Sequence, residues 1–103
     1  MALALKAGGG GEFNQIRGQI QNIKTLKIIN FVISIKDNYA VAVFDDPSFA
    51  RKMVKQENKS GNMNIKFSSK INGAIEHYPG QTKDEISRIM LKKLKKAGAK
   101  IQK

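Results

Sequence analysis

The stretch that decides the fold is residues 26–44, LKIINFVISIKDNYAVAVF. β-branched and aromatic residues, which favour extended backbone, lie on both sides of Asp37-Asn38, a dipeptide typical of tight turns. The apolar positions in the first half alternate with others, as in a strand with one buried face: they are Ile29, Phe31, Ile33 and Ile35. The stretch therefore predicts a hairpin of two antiparallel strands, residues 26–36 and 39–44.

The segments on either side of this hairpin have signals of their own. Residues 16–21 alternate apolar and polar side chains, which predicts a strand, and Gly18 within it indicates a bend. After the hairpin, Asp46 supplies a helix-capping carboxylate. Pro47 suits the first helical position, where the missing N–H has no partner to lose. A short helix is expected to end near Gln56.

Two more strands and a helix are predicted in the C-terminal half. Residues 63–68 alternate apolar and polar, and Asn72-Gly73 is a hairpin dipeptide that leads into a strand over residues 74–78. Thr82 and Glu85 have the spacing of a capping box at the start of a final helix, and Gly98 suits its end. That helix is amphipathic, because its lysines and Arg88 lie opposite its apolar arc.

The order of the predicted elements indicates a mainly β fold with some α-helix. Three strands, a short helix and two strands (β-β-β-α-β-β) predict a five-stranded oligonucleotide-binding (OB)-like barrel, followed by a C-terminal basic helix. Residues 1–13, with four consecutive glycines, are expected to form a flexible tail. Residues 14–80 would form the barrel domain, and residues 81–103 the amphipathic basic helix, packed on the barrel or extending from it.

Charge and composition restrict the function. The chain has 19 Lys and Arg against 8 Asp and Glu, a formal charge of +11, so a polyanion is the expected partner. The absence of cysteine excludes disulfides, thiolate zinc sites and cysteine nucleophiles. No signal peptide or membrane-length apolar run is recognisable. We therefore expect a cytoplasmic protein, in the host cytoplasm if phage-encoded, with no membrane partner.

The sequence has few residues that are suited to catalysis. The single histidine, His77, follows Glu76, and the other acidic pairs suit helix N-termini. We expect no catalytic residue, metal site, cofactor or small-molecule substrate. Two alternatives stay open: a small basic nuclease or toxin domain in which His77 acts as general base with Glu76 and a lysine, or a basic adaptor whose cationic helix binds an acidic protein.

The expected nucleic-acid contacts combine cations for phosphates with rings for exposed bases. Tyr39 and Tyr78 are the stacking candidates, since a phenol tolerates partial exposure. Phe44 differs in strand parity from Val41 and Val43, so it either points outward or covers the base of the first helix. The cationic candidates lie on strands, in a turn and on the final helix: Arg17, Lys36, Lys66, Lys70, Arg88, Lys92, Lys95 and Lys96.

The chain resembles small OB-type single-stranded DNA-binding proteins of bacteria and phages. Residues 16–20 (IRGQI) resemble their first-strand glycine segment, and residues 31–44 resemble their following two strands. The resemblance covers about residues 14–79. It implies a protein that coats single-stranded DNA, or RNA, without strong sequence specificity during replication or recombination. Those proteins commonly end in an acidic tail that recruits partners, whereas this chain ends in a basic helix, so partner recruitment is not implied.

The chain also resembles transcriptional coactivator folds, in which a strand-rich sheet is backed by a terminal helix. In those folds the sheet binds single strands, and the protein dimerises through the helix. Ile28 and Val32 are apolar residues left over on the second strand, and they indicate a surface for self-association. A homo-oligomer is therefore a further expectation.

Overall fold

The computed structural model describes residues 13–102, so most of the predicted N-terminal tail lies outside the described residues. This part of the chain forms six strands and two helices: β1 (Asn14–Gln21), β2 (Ile28–Lys36), β3 (Tyr39–Phe44), α1 (Pro47–Lys59), β4 (Ile65–Ser68), β5 (Gly73–His77), α2 (Lys83–Lys96) and β6 (Lys100–Ile101). The prediction of a mainly β chain with two helices is confirmed.

The strands form one antiparallel sheet in the order β4-β5-β3-β2-β1-β6. The predicted β2–β3 hairpin is present, with Asn38 at φ +76° in its turn. Asparagine tolerates this left-handed conformation better than most residues. The β4–β5 hairpin also forms, and β5 pairs with β3, so that α1 crosses from the middle of the sheet to its edge.

The sheet is open, with β4 and β6 as its edges, rather than closed into a five-stranded barrel. The unpredicted strand β6 occupies the edge of β1 that a closing strand would need. Gly18 lies at this contact, where an added Cβ would clash with the carbonyl oxygen of Lys100 and lie 3.0 Å from Cζ of Phe31. Gly18 therefore permits close approach of a neighbouring strand and aromatic ring.

The two faces of the sheet differ in what covers them. On the inner face, isoleucine and phenylalanine side chains of β1 and β2 pack under α2, which buries Ile86 and Met90. α1 lies over β3, β4 and β5 and buries Ala50 and Val54. Both helices thus pack on the same face, as expected for apolar stripes that must leave water. Neither of the two helices within residues 13–102 packs on the outer face.

Side-chain caps fix where the helices begin. Oδ1 of Asp46 accepts hydrogen bonds from N–H of Ser48 and Phe49 at the start of α1. Burial raises the pKa of Asp46, but these hydrogen bonds and the ammonium of Lys27, 3.5 Å away, outweigh it and hold the pKa below its ordinary value. Thr82 and Glu85 form the predicted capping box of α2.

Candidate nucleic-acid interface

The outer face of the sheet is the surface that the sequence assigned to nucleic acid. Alternation along each strand places polar and cationic side chains there, and no Asp or Glu occupies an outward position of β1 to β5. Its centre is formed by half-buried aliphatic side chains, including Val41 and Ile75, which pair across β3 and β5. The face is therefore apolar in the middle, with polar groups around it.

Three predicted cations, Arg17, Lys36 and Lys66, are exposed and lie on this face. Lys66 aligns through Ile75, Val41 and Ser34 with β1. At about 4.8 Å between strands, this row is about 19 Å wide. The row ends at Gln15 on β1, whose side-chain oxygen accepts a 3.0 Å hydrogen bond from Arg17. Lys66 and Arg17, near the two ends of the row, can therefore contact phosphates several nucleotides apart while bases lie on the centre.

Tyr39 and His77 form a ring pair at one end of the outer face. They are cross-strand neighbours on β3 and β5, with ring centroids 6.3 Å apart and planes tilted by 39°. Lys36 is the next neighbour across the β2–β3 pair. His77 is exposed and Tyr39 is half-buried. The structure thus brings two rings and an ammonium together, a combination suited to base stacking beside a phosphate.

A groove of about 370 Å³ lies on the outer face near the edge of the sheet where β6 pairs with β1. Arg17 and Lys100 supply its cations, and Gln19 and Asn30 its amides. The amide of Gln19 donates to Oδ1 of Asn30 at 3.0 Å, and Asn30 in turn donates to Asp45 at 2.9 Å. These linked amides hold hydrogen-bonding groups in fixed positions beside two exposed cations.

Phe44 and Tyr78, the other two predicted stacking residues, lie on the inner side. The expectation that Phe44 points outward is wrong: its side chain is only 7% exposed and its ring packs 6.2 Å from Phe31 and 5.4 Å from Phe49. The register of β3 with β2 sets this orientation, because Phe44 pairs with the inward Phe31. Phe44 therefore covers the base of α1, as the alternative interpretation had it.

The hydroxyl of Tyr78 donates to Oε1 of Glu76 at 2.8 Å and lies 3.3 Å from Sδ of Met90. Burial, followed by the hydrogen bond and the negative charge of Glu76, raises the pKa of Tyr78 well above its usual range. The phenol consequently stays protonated and acts as a donor to the carboxylate. Its ring packs against the core rather than beside Tyr39.

The cations of α2 form a separate surface. Ile86 and Met90 turn towards the sheet, so the opposite arc faces away from it. Its exposed members are Arg88, Lys92 and Lys95. Lys96 is exposed as well but lines a cavity on the inner side of the sheet. Lys70 is exposed in the turn between β4 and β5. The predicted cations are thus divided between two sides of the molecule, and one ligand lying on the sheet cannot contact all of them.

Glu76 and His77 lie on opposite faces of β5, because adjacent strand residues alternate. Glu76 is buried and His77 is exposed on the outer face. The dyad that the nuclease alternative needs is therefore not assembled. Among residues 13–102, no group of three or more His, Asp or Glu side chains is placed to hold a metal ion.

Sequence reasoning missed two contributors to the outer face, Lys100 and the ring of His77. A two-residue strand such as β6 has no periodicity to detect, and Lys100 reaches this face only through its pairing with Gln19. In the sequence, His77 is a candidate only as a general base. Strand alternation puts His77 on the same face as the other outward residues of β5, and this alternation was the signal that could have placed it beside Tyr39.

Neither described helix is both long and apolar enough to cross a membrane. Comparison with known proteins gives no match to this chain, whether among protein-family models, curated sequences or solved structures.

Proposed function

We propose that this protein binds single-stranded nucleic acid, with DNA as the expected partner, on the outer face of its sheet. The observation that carries the proposal is the composition of that face within residues 13–102: no helix packs on it, Arg17, Lys36 and Lys66 are exposed, and Tyr39 and His77 form a ring pair. None of its outward strand positions is acidic, and the carboxylate of Asp45, just after β3, accepts hydrogen bonds from Asn30. Rings and cations on an open surface are the groups that single strands need, since their bases are free to stack.

The geometry suggests how a strand would lie. Phosphates would contact the exposed cations around the face, and one or two bases would stack on Tyr39 and His77. The aliphatic centre would contact further bases without reading their sequence. The amides of Gln19 and Asn30 offer hydrogen bonds to base edges near Lys100. Such a surface favours single strands because duplex bases are not accessible to rings.

The relation to OB-type single-strand binders is part of this proposal. The order of three strands, a helix and two strands supports it. The open edges and the added strand β6 depart from a closed barrel and leave a flatter binding surface. The expected process, coating of single strands in replication or recombination, depends on the same resemblance.

Fluorescence anisotropy with labelled single-stranded and duplex oligonucleotides across a salt series tests the proposal. The variant Arg17→Gln/Lys36→Gln/Lys66→Gln removes three cations from the outer face. Its matched control, Arg88→Gln/Lys92→Gln/Lys95→Gln, removes three exposed cations from α2. If three phosphate contacts are lost, the slope of log K against log salt should fall by about 2 for single strands.

The proposal predicts that the outer-face variant loses both affinity and preference for single strands, while the α2 variant keeps the preference. Equal binding to single strands and duplex, lost on salt addition, would contradict it. Loss confined to the α2 variant would move the site to the helix. An absence of binding at physiological salt would instead favour the adaptor alternative.

A further inference from the structure

The two helices leave a gap above the inner face of the sheet. No Cα atom of α1 lies within 8 Å of a Cα atom of α2, although both helices contact β3. The sheet below the gap has small side chains: Ala40 and Ala42 on β3 and Ala74 on β5. Alanine cannot fill the space between two separated helices, so a cavity remains there.

This cavity has a volume of about 450 Å³ and opens to solvent between the helices. Its volume is within the range of small-molecule sites, about 300–1,000 Å³. Most of its wall is apolar, with large side chains around the alanine floor. Phe31, Phe44, Phe49, Met53, Met90 and Leu94 supply these side chains.

One end of the cavity is polar and contains two carboxylates. Oε2 of Glu76 accepts a 2.6 Å hydrogen bond from Asn62, which also donates to Oε1 of Glu57 at 2.9 Å. Tyr78 donates to the other oxygen of Glu76 at 2.8 Å. Glu76 is 7% exposed and lies on a central strand. Its carboxylate is therefore fixed in position, and Asn62 ties Glu57 to it.

Lys93 places an alkylammonium group between these carboxylates. From α2, its Nζ lies 3.7 Å from Glu57 on α1 and 3.7 Å from Glu76 on β5. The side chain of Lys93 is 47% exposed, and its long stem can turn into solvent at small cost. The site thus holds two hydrogen-bonded carboxylates and a half-exposed cation.

We propose that this cavity binds a small amphipathic amine, with its apolar part on the alanine floor and its ammonium between Glu57 and Glu76 in place of Lys93. Lys93 shows that an alkylammonium is accommodated at that point. Lys96 also lines the cavity but is exposed to solvent and has no ion pair with either carboxylate. An anionic head group at the position of the Lys93 ammonium would approach two carboxylates, one of them buried, and would be repelled. The cavity lies on the inner face, so the inference does not depend on nucleic-acid binding by the outer face.

The probe is n-decylamine, protonated at neutral pH, with n-decanol and decanoate as head-group controls on the same alkyl chain. Each is titrated into the isotope-labelled full chain, and NMR shifts of Ala42 and Ala74 report occupancy. Lys93→Ala removes the internal ammonium. Lys92→Ala is the matched control, since it removes the same charge one residue away on the exposed arc.

Decylamine is expected to shift the alanine signals of the floor and to bind Lys93→Ala about tenfold tighter than it binds wild type. A tenfold change in affinity corresponds to the lower end of the free energy contributed by a hydrogen bond to a charged group. Lys92→Ala should bind as wild type does. Ala42→Leu should weaken binding by filling the floor, and Lys93→Ala keeps the test valid if that variant misfolds. Weaker binding of decylamine to Lys93→Ala, a preference for decanoate, or no shift at the floor in either protein would overturn the proposal.

Discussion

The two faces of the sheet are made by neighbouring residues of the same strands, yet they have different physical roles. On β2, Ile33 is 1% exposed beneath α2, whereas Ser34 lies on the outer face. Inner positions bury apolar area and hold the fold together. Outer positions bury less apolar area, so their side chains are less constrained by packing and can serve recognition. The difference between the two faces indicates that a binding function is more readily sought on the outer one.

The largest effect should come from substitution on the inner face. Ile33→Ala is expected to lower the free energy of unfolding by about 2–5 kcal/mol, because it removes a buried side chain and leaves a cavity. Ser34→Ala should change it by less than about 0.5 kcal/mol. Urea unfolding of both variants measures the difference. Similar losses from the two would show that both faces are packed.

The contact between β1 and β6 can be broken at Gly18. Gly18→Ala is expected to destabilise the protein by about 1–3 kcal/mol, since its Cβ would clash with the Lys100 carbonyl oxygen and crowd Phe31. Amide hydrogen exchange should show faster exchange at Gln102, whose N–H bonds to the carbonyl of Arg17. Gln19→Ala, one residue along, is the control and should leave that amide protected.

Tyr78 differs from Tyr39 because it lies on the inner side. Tyr78→Phe should cost about 1–3 kcal/mol by removing a donor from the buried carboxylate of Glu76. Because the pKa of Tyr78 is raised by folding, its contribution is complete below the unfolded value of 10.0 and is lost as pH rises further. Unfolding measured from neutral to strongly alkaline pH should therefore be less pH-dependent in this variant than in wild type.

The smallest effect is expected at Asp46. Its lowered pKa means that its charge stabilises the fold above the ordinary value of 3.8, and that this contribution disappears as pH falls through the folded-state pKa. Asp46→Asn keeps a capping oxygen but not the charge. Thermal unfolding should show a weaker loss of stability in acid for this variant. An identical acid response would mean that the ion pair with Lys27 and the cap charge contribute nothing.

The sequence predicted those parts of the fold that local chemistry determines. Asp37-Asn38 located the central hairpin, and Asp46 and Thr82 located both helix starts, since turns and caps depend on neighbouring residues. α1 continues to Lys59, beyond the predicted end, because Asn58 donates to the carbonyls of Asn62 and Ile65 across the following turn. That contact is set by tertiary packing.

Long-range pairing was the part that the sequence did not reveal. β6 is two residues long, and its pairing with β1 places it at one edge of the open sheet. The inward side of Phe44 depends on its register with Phe31, and the placement of Tyr78 depends on Glu76 and Met90. For the candidate site, the strand cations were placed on one face by alternation, but their separation from the α2 cations required the packing of that helix.

The two tyrosines of the chain give the most direct test of the outer face, since Tyr39 lies on it and Tyr78 does not. NMR of protein labelled in the tyrosine rings gives two signals, which Tyr39→Phe and Tyr78→Phe assign. On titration with a single-stranded oligonucleotide at physiological salt, binding on the outer face predicts a shift of the Tyr39 signal and an unchanged Tyr78 signal. A response of Tyr78 alone, or of neither ring while the oligonucleotide is bound, would contradict binding on the outer face.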